Sequence, residues 1–398
     1  MDRVDDRGFG NMTNRTALVV SGAGARGAYE AGAVRALLPA LLAGDAIPQI
    51  LVGTSAGALN VAGLAAYAHL GAEKAAEEVV AAWSDASLTG VFSPVGSLLR
   101  TGGATLARLI GLPVPPPAGL LDTSPMRATL DALVPWDQLH ENVRTGKVRA
   151  IAVTATSLAT GGTVVFVEHN DDVRLPGYDA HRNISYVSTA LTIDHLLASA
   201  AIPILFQPIR ITDEKNDEYA GWYIDGGLLL NTPIKPALEF EATRIGVVAS
   251  HPQERLPPPA VSTLPATPPD VLGTTALSLR AILTDRMVDD LWTLRTRNDM
   301  DGYTPVEAVF AGPALAETVE IDRLAEEAFD GMLGFLHRVR NPMETTLLRL
   351  MSDGVPGHRE LLSYTMFDSR FTAPAAEFGS RCTPQYLSPS PRPAGRER

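Results

Sequence analysis

TALVVSGAGARGAYEAGAVRALLPAL, residues 16–41, opens with an apolar run from Ala17 to Val20, passes through a glycine-rich turn and continues as an amphipathic helix. This is a βα unit. Residues 47–71, IPQILVGTSAGALNVAGLAAYAHLG, repeat the plan: a strand from Gln49 to Val52, a tight turn from Gly53 to Gly57, and a helix of small residues that can lie close to a sheet. Further on, KVRAIAVTATSL (147–158) and TVVFVEH (163–169) flank ATGG. They read as a hairpin, with Gly161 and Gly162 supplying the positive φ angles of a tight turn. An antiparallel hairpin beside βα units predicts a mixed sheet in an α/β domain.

The remaining elements follow from the same patterns. DTSPMRATLDALV (122–134) is a helix with cap candidates at Asp122 to Ser124 and Pro125 in its first turn. A helix is expected in TALTIDHLLASAAI (189–202), a short Pro-bounded segment in ILFQPIRI (204–211), and strands in EYAGWYIDGG, ending at Asp225, and in TRIGVVAS (243–250). SPVGSLLRTGGATLARLIGL (93–112) has leucines at helical spacing and reads as a helix packed on the core or as a cover over a site. The expected organisation is a leader without structure (1–15), an α/β domain (16–250), a Pro-rich linker or loop (251–272), a mainly helical region (273–371) and a tail without structure (372–398).

Composition narrows the function. A chain of 398 residues, 45% hydrophobic, buries a full core without staples, and its single cysteine, Cys382, cannot form an intrachain disulfide. That points to a reducing, cytoplasmic setting. The first sixteen residues have no apolar stretch of the signal-peptide kind, and no run reaches the ~18 apolar residues of a membrane span. Any membrane contact is therefore expected to be peripheral. A net charge of -12 without a basic block argues against nucleic acid as a partner. No histidines, acids or cysteines cluster at metal-ligand spacing, so neither a metal nor another cofactor is expected.

Three constellations can carry chemistry: Gly22-Ala23-Gly24-Ala25-Arg26-Gly27, Gly53-Thr54-Ser55-Ala56-Gly57 and Asp225-Gly226-Gly227. A Gly-x-Ser-x-Gly pattern arises by chance in roughly one chain of this length in ten, so context decides its value. Here it lies between an apolar strand and a small-residue helix, the setting of a nucleophile elbow, where Gly53 and Gly57 keep the turn free of side chains. The plainer role for Ser55 is a helix cap, and for Asp225 an Asx-turn at a strand end. The first loop fits two devices. One is a dinucleotide-binding turn and the other an oxyanion hole; both aim backbone N–H groups and a helix N-terminus at negative charge, and Arg26 could assist either. Asp45 stands near the offset of a ribose-binding acid, but follows a helix where a strand end is required. Of the eight histidines, His195, inside a helix, is the nearest to a triad member and reads as a packed helix residue.

With these motifs in this order, SGAGARGAYEAG, GTSAG and DGG, the sequence resembles the patatin-like phospholipase family. LLDTSPMRATL, LASAAIPILFQP and DGGLLLNTP agree, so the likeness runs from about Thr16 to Ser250. The resemblance implies a three-layer α/β/α sandwich with a mostly parallel mixed sheet, related to α/β-hydrolases, that cleaves fatty-acyl esters of lipids without calcium. It also implies a Ser–Asp dyad with Ser55 as nucleophile and Asp225 as base. The Gly22, Ala23 and Gly24 amides would be the oxyanion donors, with Arg26, Gly27, Gly53, Gly57, Gly226 and Gly227 in support. Ala23 stands where the family has glycine; alanine keeps the N–H but disfavours positive φ by about 1–2 kcal/mol. The alternatives are a nucleotide-binding protein using the Gly22 to Gly27 loop, or a lipid-binding module without activity.

Overall fold

A computed structural model of the chain describes residues 15–42, 44, 46–93, 118–212, 217–254, 274, 287–298, 305–332 and 358–387. Residues 1–14, Asp45, residues 94–117, most of the Pro-rich segment and residues 388–398 lie outside them, and with them the expectations for the leader, the 93–112 segment and the end of the tail.

Among the described residues ten strands form one sheet: β1 (Thr16–Val20), β2 (Ile50–Thr54), β3 (Ala150–Ser157), β4 (Thr163–His169), β5 (Ile184–Ser188), β6 (Ile209–Ile211), β7 (Gly221–Asp225), β8 (Arg244–Val248), β9 (Glu307–Ala311) and β10 (Gln385–Tyr386). Eight of them run in the order β10-β9-β8-β1-β2-β3-β4-β5, while β7 also pairs with β3, and β6 with β7. The run from β9 to β3 is parallel throughout, while β4, β7 and β10 join antiparallel. The sheet is therefore mixed and mostly parallel at its centre, with the expected hairpin at β3–β4, although in its turn Gly161 takes a positive φ (64°) and Gly162 does not.

Central strands are buried on both faces, and this explains their unbroken apolar runs. Side chains alternate between two cores: Leu18, Val20, Leu51 and Val153 face one, Ala17, Val19, Ile50 and Val52 the other. On the first side lie α1 (Gly27–Leu41), α2 (Ala56–Tyr67), α3 (Ala72–Ser84), α4 (Ser124–Leu133) and α5 (Ile193–Ser199). On the second lie the short helix Ile234–Glu239 and a helix over 287–298. This is a three-layer α/β/α sandwich.

The C-terminal residues do not stand apart. β9 extends the central sheet beside β8, and α6 (Thr318–Met332), α7 (His358–Thr365) and α8 (Ser369–Ser380) pack on the α1 side. This corrects the expected tail from Thr372, because residues 372–380 are helical and 385–386 form a strand. Asp368 caps α8 by accepting from the Arg370 N–H, and the small residues Ala375, Ala376 and Gly379 let α8 lie against α1. Small residues make a weak hydrophobic stripe, and Pro374 within the stretch disguises it further.

One feature of the sheet positions the site. β4 occupies one edge of β3 from Ala150 to Thr156, so β2 and β7 share the other. β2 runs parallel to β3 and stops with Thr54 opposite Thr154; β7 arrives antiparallel and stops with Asp225 opposite Ala155. The two strands meet end to end. Whatever follows Thr54 must therefore face Asp225.

Candidate active site

Ser55 follows Thr54 at φ 53°, ψ −123° and forms the N-cap of α2. A non-glycine residue in this region stores strain on the order of 1–3 kcal/mol, which the surroundings must enforce. They do so by close packing. A Cβ on Gly57 would lie 2.3 Å from Val20 O, and one on Gly53 2.4 Å from Gly57 O, so helix and strand can meet this tightly only through glycine. The Ser55 N–H donates to Ser199 Oγ at 2.8 Å. Beneath the turn Thr54 Oγ1 donates to Leu230 O (2.9 Å) and lies 2.6 Å from Thr154 Oγ1, which must then supply the proton they share.

The elbow aims Ser55 Oγ at Asp225, to whose Oδ2 it donates at 2.6 Å. The other carboxylate oxygen, Oδ1, accepts the Gly227 N–H at 2.7 Å, and the Asp225 backbone is pinned through Ala201 O and the Thr156 hydroxyl. Gly226 is packed against Thr154, and Gly227 opens a single helical turn to Leu230. Asp225 is buried. Loss of water pushes its carboxyl up to about 6, against the smaller opposing effects of the Ser55 and Gly227 hydrogen bonds.

The glycine-rich loop completes the cavity around Ser55, but its three expected donors are not equivalent. The Gly22 N–H is taken by Asn231, whose backbone O and Oδ1 both lie at 3.2 Å, while Asn231 Nδ2 donates back to Gly22 O. The amides of Ala23 and Gly24 have no acceptor among the described residues. Both residues line the cavity with Ser55 and Asp225. Alanine at position 23 is accommodated because its φ is −148°; the positive φ of the loop, +55°, falls on Gly24. The cavity measures about 20 Å³, enough for one water.

Arg26 does not face this cavity. Its buried guanidinium donates to Asp322 Oδ1 (2.7 Å) and Ser363 Oγ (2.8 Å) and lies 4.4 Å from the centre of the Tyr364 ring. Gly27 opens α1 against Ala56 and Trp83. His195 is a packed helix residue, its ring edge-on to Phe166 and its Nδ1 accepting the Thr192 N–H. Among the described residues no three His, Cys, Asp or Glu side chains gather as metal ligands. Sequence reasoning missed Ser199, Asn231 and Tyr364. The first two lie within LASAAIP and LLLNTP, stretches that stood out for their likeness, whereas nothing local marks Tyr364.

Residues 18–238 match the family described as patatin-like phospholipase, and the chain belongs to that family. No curated protein matches the chain in sequence. Among solved structures, the crystal structure of VipD from Legionella pneumophila is similar at 15% identity and a TM-score of 0.31, over 76% of this chain and 62% of that one. The chain thus spans less than two thirds of VipD.

Proposed function

We propose that the protein hydrolyses fatty-acyl esters of lipids through an acyl-enzyme on Ser55, with Asp225 as the base. The observation that carries the reading is the 2.6 Å hydrogen bond from Ser55 Oγ to Asp225 Oδ2 at a strained elbow. Ser55 Oγ attacks the ester carbonyl carbon as its proton passes to Asp225, and the Ala23 and Gly24 amides donate to the developing oxyanion. The tetrahedral species collapses, expelling the alcohol, which takes the proton from Asp225. Water, deprotonated by Asp225, then attacks the acyl-enzyme and releases the fatty acid, and the proton returns to Ser55. A base near 6 is better matched to neutral pH than an ordinary aspartate, yet free alkoxide still does not accumulate, so proton transfer accompanies attack.

Two features support a lipid substrate. An apolar cavity of about 180 Å³ lies between α2, α3 and α4, walled by Leu59, Gly63 and Tyr67 of α2 with Trp83, Leu130 and Phe367. Leu59, Gly63 and Tyr67 follow Ser55 at four-residue steps, so the cavity lies along the stripe of α2 that starts at the serine. At the rim, Leu120 and Ile204 expose apolar side chains beside Ile202 and Pro203, which line the Ser55 cavity. That edge suits peripheral contact with a lipid surface, and no described helix is long and apolar enough to cross a membrane. The rival use of the loop for a dinucleotide gains no support, since the Gly22 N–H is taken by Asn231 and the Arg26 guanidinium by Asp322 and Ser363.

The test is covalent labelling by a fluorophosphonate, mapped by mass spectrometry, alongside turnover of p-nitrophenyl esters by wild type, Ser55→Ala and Asp225→Asn. Label at Ser55 and loss of turnover in both folded variants is expected. An unlabelled Ser55 in folded protein rejects the proposal.

A further inference from the structure

The matched family segment ends at residue 238, yet the wall of the Ser55 cavity does not: Tyr364, more than a hundred residues further on, is part of it. A Cβ on Gly24 would lie 2.4 Å from Tyr364 O, so the loop and the end of α7 are in direct contact at the positive-φ residue. Arg26 fastens the two together. Its Nε donates to Ser363 Oγ, its Nη2 to Asp322 of α6, and Ser363 Oγ also lies 3.1 Å from Asp322 Oδ1. The ring of Tyr364 packs under the guanidinium, and its hydroxyl is hydrogen-bonded to His251 Nε2, just beyond β8. A planar guanidinium held at two edges and one face has a fixed orientation, and Arg26 is two residues from Gly24.

We infer that Arg26 is a positioning residue rather than an anion contact: tied to Asp322, Ser363 and Tyr364, it holds the Ala23 and Gly24 amides in donor geometry, so residues beyond the matched segment complete the oxyanion site. The inference rests on the Ser55 reading for its effect on rate, but not for its effect on the loop. Oxyanion donors act only at the right distance from the atom that becomes charged, and small displacements cost large factors in rate. Loosening the Arg26 anchor therefore lowers kcat while leaving ground-state binding of the ester almost unchanged.

Arg26→Met, Asp322→Asn and the double variant are compared with wild type on p-nitrophenyl butyrate, with thermal unfolding as the check on folding. Expected is a fall in kcat of about 10- to 100-fold in each single variant, with KM within about two-fold. Affinity for an alkyl trifluoromethyl ketone, whose serine adduct bears the oxyanion, falls in parallel with kcat. The double variant is no worse than the poorer single, because both remove one interaction. Hydrogen–deuterium exchange in the peptide spanning Gly22 to Gly27 quickens in Asp322→Asn. Were Arg26 a direct anion contact, Asp322→Asn would free the guanidinium and keep or raise kcat, and that result overturns the inference. Should Arg26→Met fail to fold, Asp322→Asn decides alone, since Asp322 is partly exposed; unchanged kcat and ketone affinity would reject the idea. If wild type neither turns over ester nor labels at Ser55, the hydrolase reading fails, and the exchange result still judges the anchor: unchanged loop exchange rejects it.

Discussion

Asp225 is paired with Ala155 on β3, one rung beyond the pair at which β2 ends. This neighbouring register, and not any nearness in sequence, brings a carboxylate to the serine after Thr54. Burial at that junction then raises the carboxyl to about 6.

The first prediction concerns pH and rate. A base must be ionised to act, so kcat/KM for an ester is expected to fall as pH drops through about 6, following a single proton. A pH–rate profile on p-nitrophenyl butyrate checks this. A midpoint near 4 would mean that Asp225 is not desolvated in solution.

The same burial has a cost in stability. The folded carboxyl, at about 6, lies above its ordinary value of 3.8, so the folded state holds a proton that the unfolded state releases between these values. Its contribution is fully present below the lower value and lost as pH rises through the upper one. Asp225→Asn is therefore expected to be inactive yet more stable at pH 8, by on the order of 2 kcal/mol, with little gain at pH 4. Urea unfolding at both pH values measures the difference, and equal gains at the two would contradict it.

Gly24→Ala tests the loop. The new Cβ meets Tyr364 O in a backbone conformation that costs alanine about 1–2 kcal/mol, so the loop must shift. Turnover should drop by about 100-fold or more, as when an oxyanion donor is lost, while the far-ultraviolet circular dichroism spectrum stays that of wild type. Retained turnover would remove Ala23 and Gly24 from the site.

Chain-length preference tests the apolar cavity. Ala82 of α3 lines it, and phenylalanine there would occupy much of its 180 Å³. Ala82→Phe should cut kcat/KM for a decanoyl ester relative to a butyryl ester by about 10-fold or more, the scale on which methylenes are discriminated in apolar pockets. Parallel losses at every chain length would place the acyl chain elsewhere.

The Ser55 amide offers a milder probe. Ser199→Ala leaves the buried Ser55 N–H without its acceptor, a loss of roughly 1–3 kcal/mol in stability. Chemical denaturation reads it directly; a change well below that range would mean that water replaces the hydroxyl.

Much of this was legible in the sequence because the central strands are buried on both faces and so read as apolar runs, with β1 and β2 each followed by a glycine turn and a helix. Ser55 and Asp225 stood out for that reason, at strand ends beside glycines. Their contact did not, since the register of β7 on β3 depends on where β2 stops, and no local pattern records it. The division of labour within the loop was equally hidden. Gly22, Ala23 and Gly24 look alike as a string, and only Asn231, 209 residues away from Gly22, separates the engaged amide from the other two. α8 escaped because alanine and glycine pack by closeness and leave little apolar periodicity to read.

The meeting of β2 and β7 also sets a schedule. Hydroxyl and carboxylate are 170 positions apart, and the anchor of the loop is supplied later still, by α6 and α7. A chain emerging from the ribosome cannot assemble the pair until β7 has docked, nor steady the loop until its last third is made. On the proposed function, the hydroxyl, the carboxylate and the steadied loop therefore come together only after α6 and α7 have been made.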